Sequence, residues 1–349
     1  MKKKVAIITI FDEANYGNRL QNCAVQYCLE KWGYRTETIV KYKNPFKYRL
    51  KRFIRGILRS FAKKYLRTKH IRLYRKSNFE NFTNKYTSTR FVKTQTGDFN
   101  EKIAKKYDFF VVGSDQVWNP AFSDLPNNML LTFAPTKKRY CFSPSFGISE
   151  LDEKWKPVFS NALRDFQNLC AREEEGVKII KELTGREDVC LTIDPTLMLD
   201  ADDWLKYSKK VDSIPSNYVF DYFLSEKPLS DGTYIAQGEG KQRIDILESA
   251  SNPLYFCGPS EFIYLVANAD VICTDSFHAC VFSILFSKPF VVYRRNYHVN
   301  MFSRIETLLG LFGKDASVCV GQKTVIDPDL RDKVLSEKRR ELEKIFSDI

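Results

Sequence analysis

The chain has 349 residues, 44% hydrophobic and 28% charged, with few Gly (15) or Pro (13). These proportions suit a globular protein of about two domains and exclude collagen-like, linker-dominated and disordered architectures. The formal net charge is +12, but Lys41–Phe79 holds fifteen Lys/Arg and no Asp or Glu, leaving the rest at −3. A mildly acidic body with one basic segment is not a nucleic-acid binder by bulk charge, and the body carries no nucleic-acid recognition module.

The nine cysteines include no C-x-x-C pair and the chain has only three histidines, His70, His278 and His298. A zinc site needs tighter clustering, so no metal is expected. Most cysteines lie in apolar runs and read as small buried hydrophobes, which suits a reducing, cytoplasmic setting. Met1–Phe11 is too short and too soon acidic for a signal peptide and reads as a first strand. No apolar run is long enough to cross a membrane.

In chain order, Val5–Phe11 reads as a strand and Asp12–Asn18 as a polar loop. A helix follows, with Leu20, Cys23, Ala24, Tyr27 and Cys28 on its apolar face and Gly33 at its end; Arg35–Val40 is a second strand. Over Phe46–Leu66 apolar residues step by three and four opposite a Lys/Arg face, predicting a basic amphipathic helix in an insertion at about 44–76. Residues 77–99 show little periodicity. Short apolar strands then recur at Tyr107–Val112, Arg139–Ser143, Asn168–Ala171 and Val189–Ile193, each running into a polar loop as in a parallel sheet. The second half offers strands at Tyr218–Leu224, Thr233–Ala236, Val271–Thr274 and Pro289–Tyr293. Helices are expected at Glu261–Asn268 and Phe277–Phe286, and a charged helix at Asp327–Ile349. The expected architecture is α/β, with two Rossmann-like domains facing a cleft: 1–200, 201–326, and a last helix over 327–349.

The strand-to-helix turn Cys273–His278 carries the strongest chemistry. A helix N-terminus presents unpaired N–H groups to an anion, with Ser276 and Phe277 at its mouth and His278 in its first turn. Alternatively, Asp275 and Ser276 only cap the helix and His278 satisfies a core hydrogen bond. Arg172 follows a strand and offers a planar donor fork for carboxylate or phosphate, or it pairs with Glu173–Glu175 in a solvated turn. Asn15, Gly17 and Asn18 form a first loop that lets a ligand approach backbone, without dinucleotide-type spacing. Gly113 and Ser114 lead into Asp115, which is either a base for a sugar hydroxyl or a turn residue. The pair Gly238 and Gly240 lacks phosphate-loop spacing, and Asp327–Asp329 reads as a helix start.

Taken together in order and spacing, Asn15–Gln21 (NYGNRLQ), Gly113–Trp118 (GSDQVW), Ser145–Gly147 (SFG), Ala171–Glu174 (AREE), Asp194–Leu199 (DPTLML) and Thr274–Pro289 (TDSFHACVFSILFSKP) resemble the polysaccharide pyruvyltransferase family. The resemblance covers most of the chain outside the basic segment and the last helix. It implies a GT-B-like fold and transfer of pyruvate from phosphoenolpyruvate onto two hydroxyls of a glycan sugar, forming a ketal in cell-surface polysaccharide biosynthesis. It implies no cofactor beyond that donor. By position, Arg172 and His278 would bind the donor. Ser276 stands where relatives often carry Arg, so Arg294, Arg295 or Arg304 would supply the missing contact, and Asn18 stands where relatives often carry Asp. His278 would be the general acid or a phosphate partner, because a histidine pKa lies nearest working pH. Asp115 would activate or orient the acceptor hydroxyl.

Acceptors of this family are commonly glycans, often lipid-linked, so the basic segment is expected to dock peripherally on the anionic inner face of the cell membrane. Otherwise its apolar stripe packs on the body and its charges are solvated. Two rival functions share the fold: a glycosyltransferase using a nucleotide sugar, and a non-catalytic glycan-binding protein.

Overall fold

The computed structural model describes residues 2–42, 71–94, 98–121, 128–212, 214–247, 252–295 and 302–347. The predicted basic helix over Phe46–Leu66 and His298 lie outside these residues. The first sheet holds β1 (Lys4–Ile8), β2 (Arg35–Tyr42), β3 (Thr89–Lys93), β4 (Phe109–Val112) and β5 (Arg139–Cys141), ordered β3-β2-β1-β4-β5. All its ladders are parallel. Beyond it, β6 (Leu169–Ala171) and β7 (Val189–Leu191) form a two-stranded parallel sheet. The second five-stranded sheet holds β8 (Tyr218–Tyr222), β9 (Gln242–Asp245), β10 (Val271–Thr274), β11 (Phe290–Val292) and β12 (Lys323–Thr324), ordered β12-β11-β10-β8-β9. Only its β11–β12 ladder is antiparallel.

The helices that position the cleft are α1 (Tyr16–Lys31), α2 (Ile71–Tyr86), α3 (Glu174–Thr184), α4 (Pro259–Asn268), α5 (Phe277–Leu285), α6 (Ser303–Gly310) and α7 (Pro328–Ser347). The architecture is GT-B-like, with two Rossmann-like halves whose strand C-termini face each other. One apolar cluster joins the halves, running from Val5, Leu20 and Phe79 to Phe220, Phe262 and Phe282. Helix α7 returns from the second sheet to the first: Phe346 stacks on Phe142 at 5.1 Å and on Trp32 at 5.5 Å. The Tyr34 hydroxyl donates to the Phe346 carbonyl at 2.8 Å. Arg339 donates to the carbonyls of Leu197 and Leu199 at 2.7 and 2.8 Å.

Two expectations are corrected. Residues 71–86 form a helix, although 77–99 showed no helical rhythm and 71–76 were assigned to the basic insertion. The buried stripe of α2 mixes Arg75, Ser77, Glu80 and Thr83 with Phe79 and Phe82, so apolar periodicity is masked. The predicted strand Thr233–Ala236 lies within a short helix, Gly232–Gln237, because Asp231 caps it by accepting from the Tyr234 N–H at 2.8 Å.

Candidate active site

The strand ends of both halves enclose a cavity of about 330 Å³. The first half contributes Ile10, Asp12, Asn15, Gly17, Asn18, Asp115 and Gln116. Tyr222, Leu224, Ser276, Phe277, His278, Arg295 and Arg304 come from the second.

The loop after β1 is self-braced. Asn15 caps α1, accepting from the Asn18 N–H at 3.0 Å. The Asn18 side-chain oxygen accepts from the Asp12 N–H at 3.0 Å and from Arg19 Nε at 3.2 Å. Its Nδ2 is left to donate to Asp115 Oδ2 at 3.1 Å. An aspartate at position 18 would offer a carboxylate to a carboxylate there, so asparagine suits the position.

Asp115 has φ 70, a left-handed conformation that Asp tolerates better than bulkier residues. Its carbonyl accepts from the Val117 and Ser145 N–H groups at 2.8 and 2.9 Å, which fixes that turn. Preceding it, Gly113 has φ 116, and a Cβ there would lie 2.3 Å from the Phe142 carbonyl oxygen. Ser114 is fully buried and donates to the Ser143 carbonyl at 2.6 Å. Gly113 and Ser114 therefore lie beneath the cavity and do not line it.

Arg172 is enclosed behind the cavity rather than lining it. Its guanidinium donates to Asp115 Oδ1 at 3.1 Å and to Asp194 Oδ2, and lies 4.7 Å from the Phe277 ring centroid. Burial opposes ionisation of Asp115, but Arg172, joined by His278 once acid has protonated it, outweighs burial and holds the carboxyl well below the usual carboxylate range. Asp194 is likewise buried yet held low by the protonated form of His278 and by Arg172, and it accepts from the Thr196 N–H at 2.9 Å. The Arg172 guanidinium is thus engaged by two internal carboxylates.

His278 closes one end of the cavity. Its Nε2 is buried without a hydrogen-bond partner, 3.7 Å from Asp194 Oδ2. Burial pushes its pKa below the ordinary histidine value, and Asp194 and Asp115 recover only part of the shift. The imidazole is therefore mostly neutral at neutral pH.

Arg304, on the first turn of α6, is 5% exposed. Its Nε has no partner, and the guanidinium forms no ion pair among the described residues. Burial, aided by repulsion from Arg172, pulls its pKa down to about 10. Nearby, Arg295 donates to the Asp275 carbonyl at 3.1 Å. Asp275 itself accepts from the Leu224 and Ser225 N–H groups, both at 2.8 Å. Ser276 makes no side-chain capping bond to α5, so the first-turn N–H groups of α5 keep no side-chain acceptor. Two arginines, a neutral histidine and an uncapped helix N-terminus thus border one side of the cavity.

Arg294 does not line the cavity; it is exposed and pairs with Glu306 at 3.3 Å. Sequence reasoning missed Asp12, Tyr222 and Leu224 in the lining and the burial of Asp194 against Arg172 and His278. Asp194 had a legible signal, since it lies within three residues of the end of a short strand, as Asp115 and Asp275 do.

A search of curated proteins finds no match. Among solved structures, Anabaena Alr3699/HepE in complex with UDP and glucose is similar at 12% identity over 99% of this chain and 100% of its own, with a TM-score of 0.51. The UDP-GlcNAc 2-epimerase of Methanocaldococcus jannaschii is similar at 13% identity over 96% of this chain and 99% of its own, with a TM-score of 0.45. At these identities the likeness to HepE concerns the fold alone. The family sequence model described as polysaccharide pyruvyl transferase spans residues 15–297, which takes in every strand named above except β1 and β12 and every residue of the cavity except Ile10, Asp12 and Arg304. With most of the chain matched, the protein belongs to the polysaccharide pyruvyl transferase family.

Proposed function

We propose that the protein transfers pyruvate from phosphoenolpyruvate onto two hydroxyls of a glycan sugar, forming a cyclic ketal. The observation that carries this reading is Arg304, a buried guanidinium that forms no ion pair among the described residues, facing a cavity beside an uncapped helix N-terminus. A buried cation without a counter-ion is costly, and an anionic ligand relieves that cost. The donor brings a phosphate and a carboxylate; Arg304, Arg295 and the α5 N–H groups receive them.

Donor binding raises the pKa of His278, because a nearby anion favours imidazolium. His278 then donates its proton to the methylene carbon of the donor, and positive charge develops at C2. One sugar hydroxyl adds to C2 and loses its proton towards Asp115. The C2–O bond to phosphate breaks, phosphate leaves with the proton held by Asp115, and the second hydroxyl adds at C2, returning its proton to His278 and closing the ketal. Arg172 keeps Asp115 and Asp194 ionised and in place. The acceptor reaches this centre from the side of Asp12, Asn15 and Gln116.

Among the described residues no helix is long and apolar enough to cross a membrane. Docking of the basic segment on an anionic membrane surface remains part of this proposal, supported by its charge.

Calorimetric titration with phosphoenolpyruvate tests the reading, with UDP- and GDP-sugars in parallel and Arg304→Gln as the control. Saturable phosphoenolpyruvate binding lost in the control supports it. Binding of a nucleotide sugar alone would replace it with a glycosyltransferase.

A further inference from the structure

Helix α2 ties the two halves together beside the cavity. Arg75 is 7% exposed, and its Nη1 donates to the Tyr16 hydroxyl at 2.6 Å and to the carbonyls of Ile246 and Tyr255 at 3.1 and 3.3 Å. Its guanidinium packs over the rings of Tyr255 and Tyr16, 4.7 and 4.9 Å from their centroids. The Tyr16 hydroxyl in turn donates across the cleft to the Cys257 carbonyl at 2.7 Å. One turn along α2, Asn78 donates to the Phe256 carbonyl at 2.9 Å, and Gly258 has no side chain because a Cβ would lie 2.8 Å from that of Asn78. Lys76 pairs with Glu13 of the first loop at 2.7 Å.

Arg75 therefore bonds to both halves at once: Tyr16 belongs to the first, Ile246 and Tyr255 to the second. Tyr16 is the residue before Gly17, and Gly17 lies against the His278 ring. We propose that Arg75 is a positioning residue that latches the two halves and so sets the acceptor-side loop Asp12–Asn18 against the donor-side His278. The inference rests on the reading that transfer takes place in this cavity. Arg295, Arg304, Ser276 and His278 all belong to the second half, so donor binding does not need the latch, whereas transfer between the two sides does. Arginine suits the role because one planar fork can stack on two rings while donating to several oxygens.

The test uses the full chain with Arg75→Met, Tyr16→Phe and the double variant. Phosphoenolpyruvate affinity should match wild type in each, while kcat for ketal formation falls about 10- to 100-fold. The double variant should be no slower than the slower single one, since both changes break one contact. Amide exchange should quicken in 16–20 and 254–258 and stay unchanged in the sheet cores. Unchanged kcat would overturn the latch, and so would donor affinity falling in step with kcat. If wild type does not bind phosphoenolpyruvate, the functional reading fails by itself, and unchanged amide exchange in Arg75→Met then overturns the latch. Should Arg75→Met not fold, Arg75→Lys carries the same measurements, because an ammonium cannot reproduce the stacked fork.

Discussion

The absent side chain of Gly17 is the space occupied by the imidazole of His278: a Cβ at position 17 would lie 2.0 Å from His278 Nδ1. The two residues belong to opposite halves, so the glycine is what allows the first loop to close on the helix that carries the histidine. Packing this tight leaves no room for a side chain at position 17.

Gly17→Ala should push the His278 ring out of register. We expect turnover to fall about 100-fold, as for a displacement of about 1 Å at the reacting centre, with a stability loss of about 1–3 kcal/mol from overpacking. Steady-state kinetics and urea melts measure both. Wild-type turnover in this variant would show that His278 tolerates displacement and does not act in the chemistry.

Arg304 and Arg172 are both buried but should respond in opposite ways. Arg304→Met removes a buried cation that forms no ion pair among the described residues and whose desolvation outweighs the pull of Asp115 and Glu173, so the protein should gain about 1 kcal/mol while losing anion binding. Arg172→Met strands Asp115 and Asp194, so stability should drop by about 3–5 kcal/mol. Melting temperatures with and without phosphoenolpyruvate separate the two. A destabilised Arg304→Met would mean that Arg304 serves the fold instead.

His278 predicts a particular pH response. Its folded-state pKa lies below its ordinary value, so the unfolded chain takes up the proton first. Stability should therefore decline as pH falls through about 6.5 and level off below the folded value. Asp115, also held low, contributes stability that is present above about pH 4 and lost on further acidification. Donor binding near neutrality should draw a proton onto His278. Calorimetry in buffers of different ionisation enthalpy reads that uptake, and His278→Asn should abolish it; uptake that persists in the variant would assign the proton elsewhere.

The C-terminal helix should be integral to the first half. Phe346 is 1% exposed and stacks on Trp32 and Phe142, so Phe346→Ala should cost about 3–5 kcal/mol. A denaturation curve checks this, and a loss confined to fraying of the helix would show that the first half stands without it.

Local pattern alone determined the strand–loop alternation, the parallel α/β class and the anion-facing turn before His278, because short apolar runs ending in polar loops are written in consecutive residues. The family followed from six motifs whose order is also local information. Residues 71–86 were illegible as a helix because their buried face is partly polar, and Arg75 looks like surface charge until the carbonyls of Ile246 and Tyr255 are brought to it. The fate of the arginines was likewise a tertiary matter. Only folding decides that Arg172 bonds to two aspartates while Arg304 forms no ion pair among the described residues, since Asp115 and Asp194 lie far from Arg172 in sequence and converge on it through separate strand ends. Sequence names the residue types available for an anion, and long-range packing decides which cation is left for it.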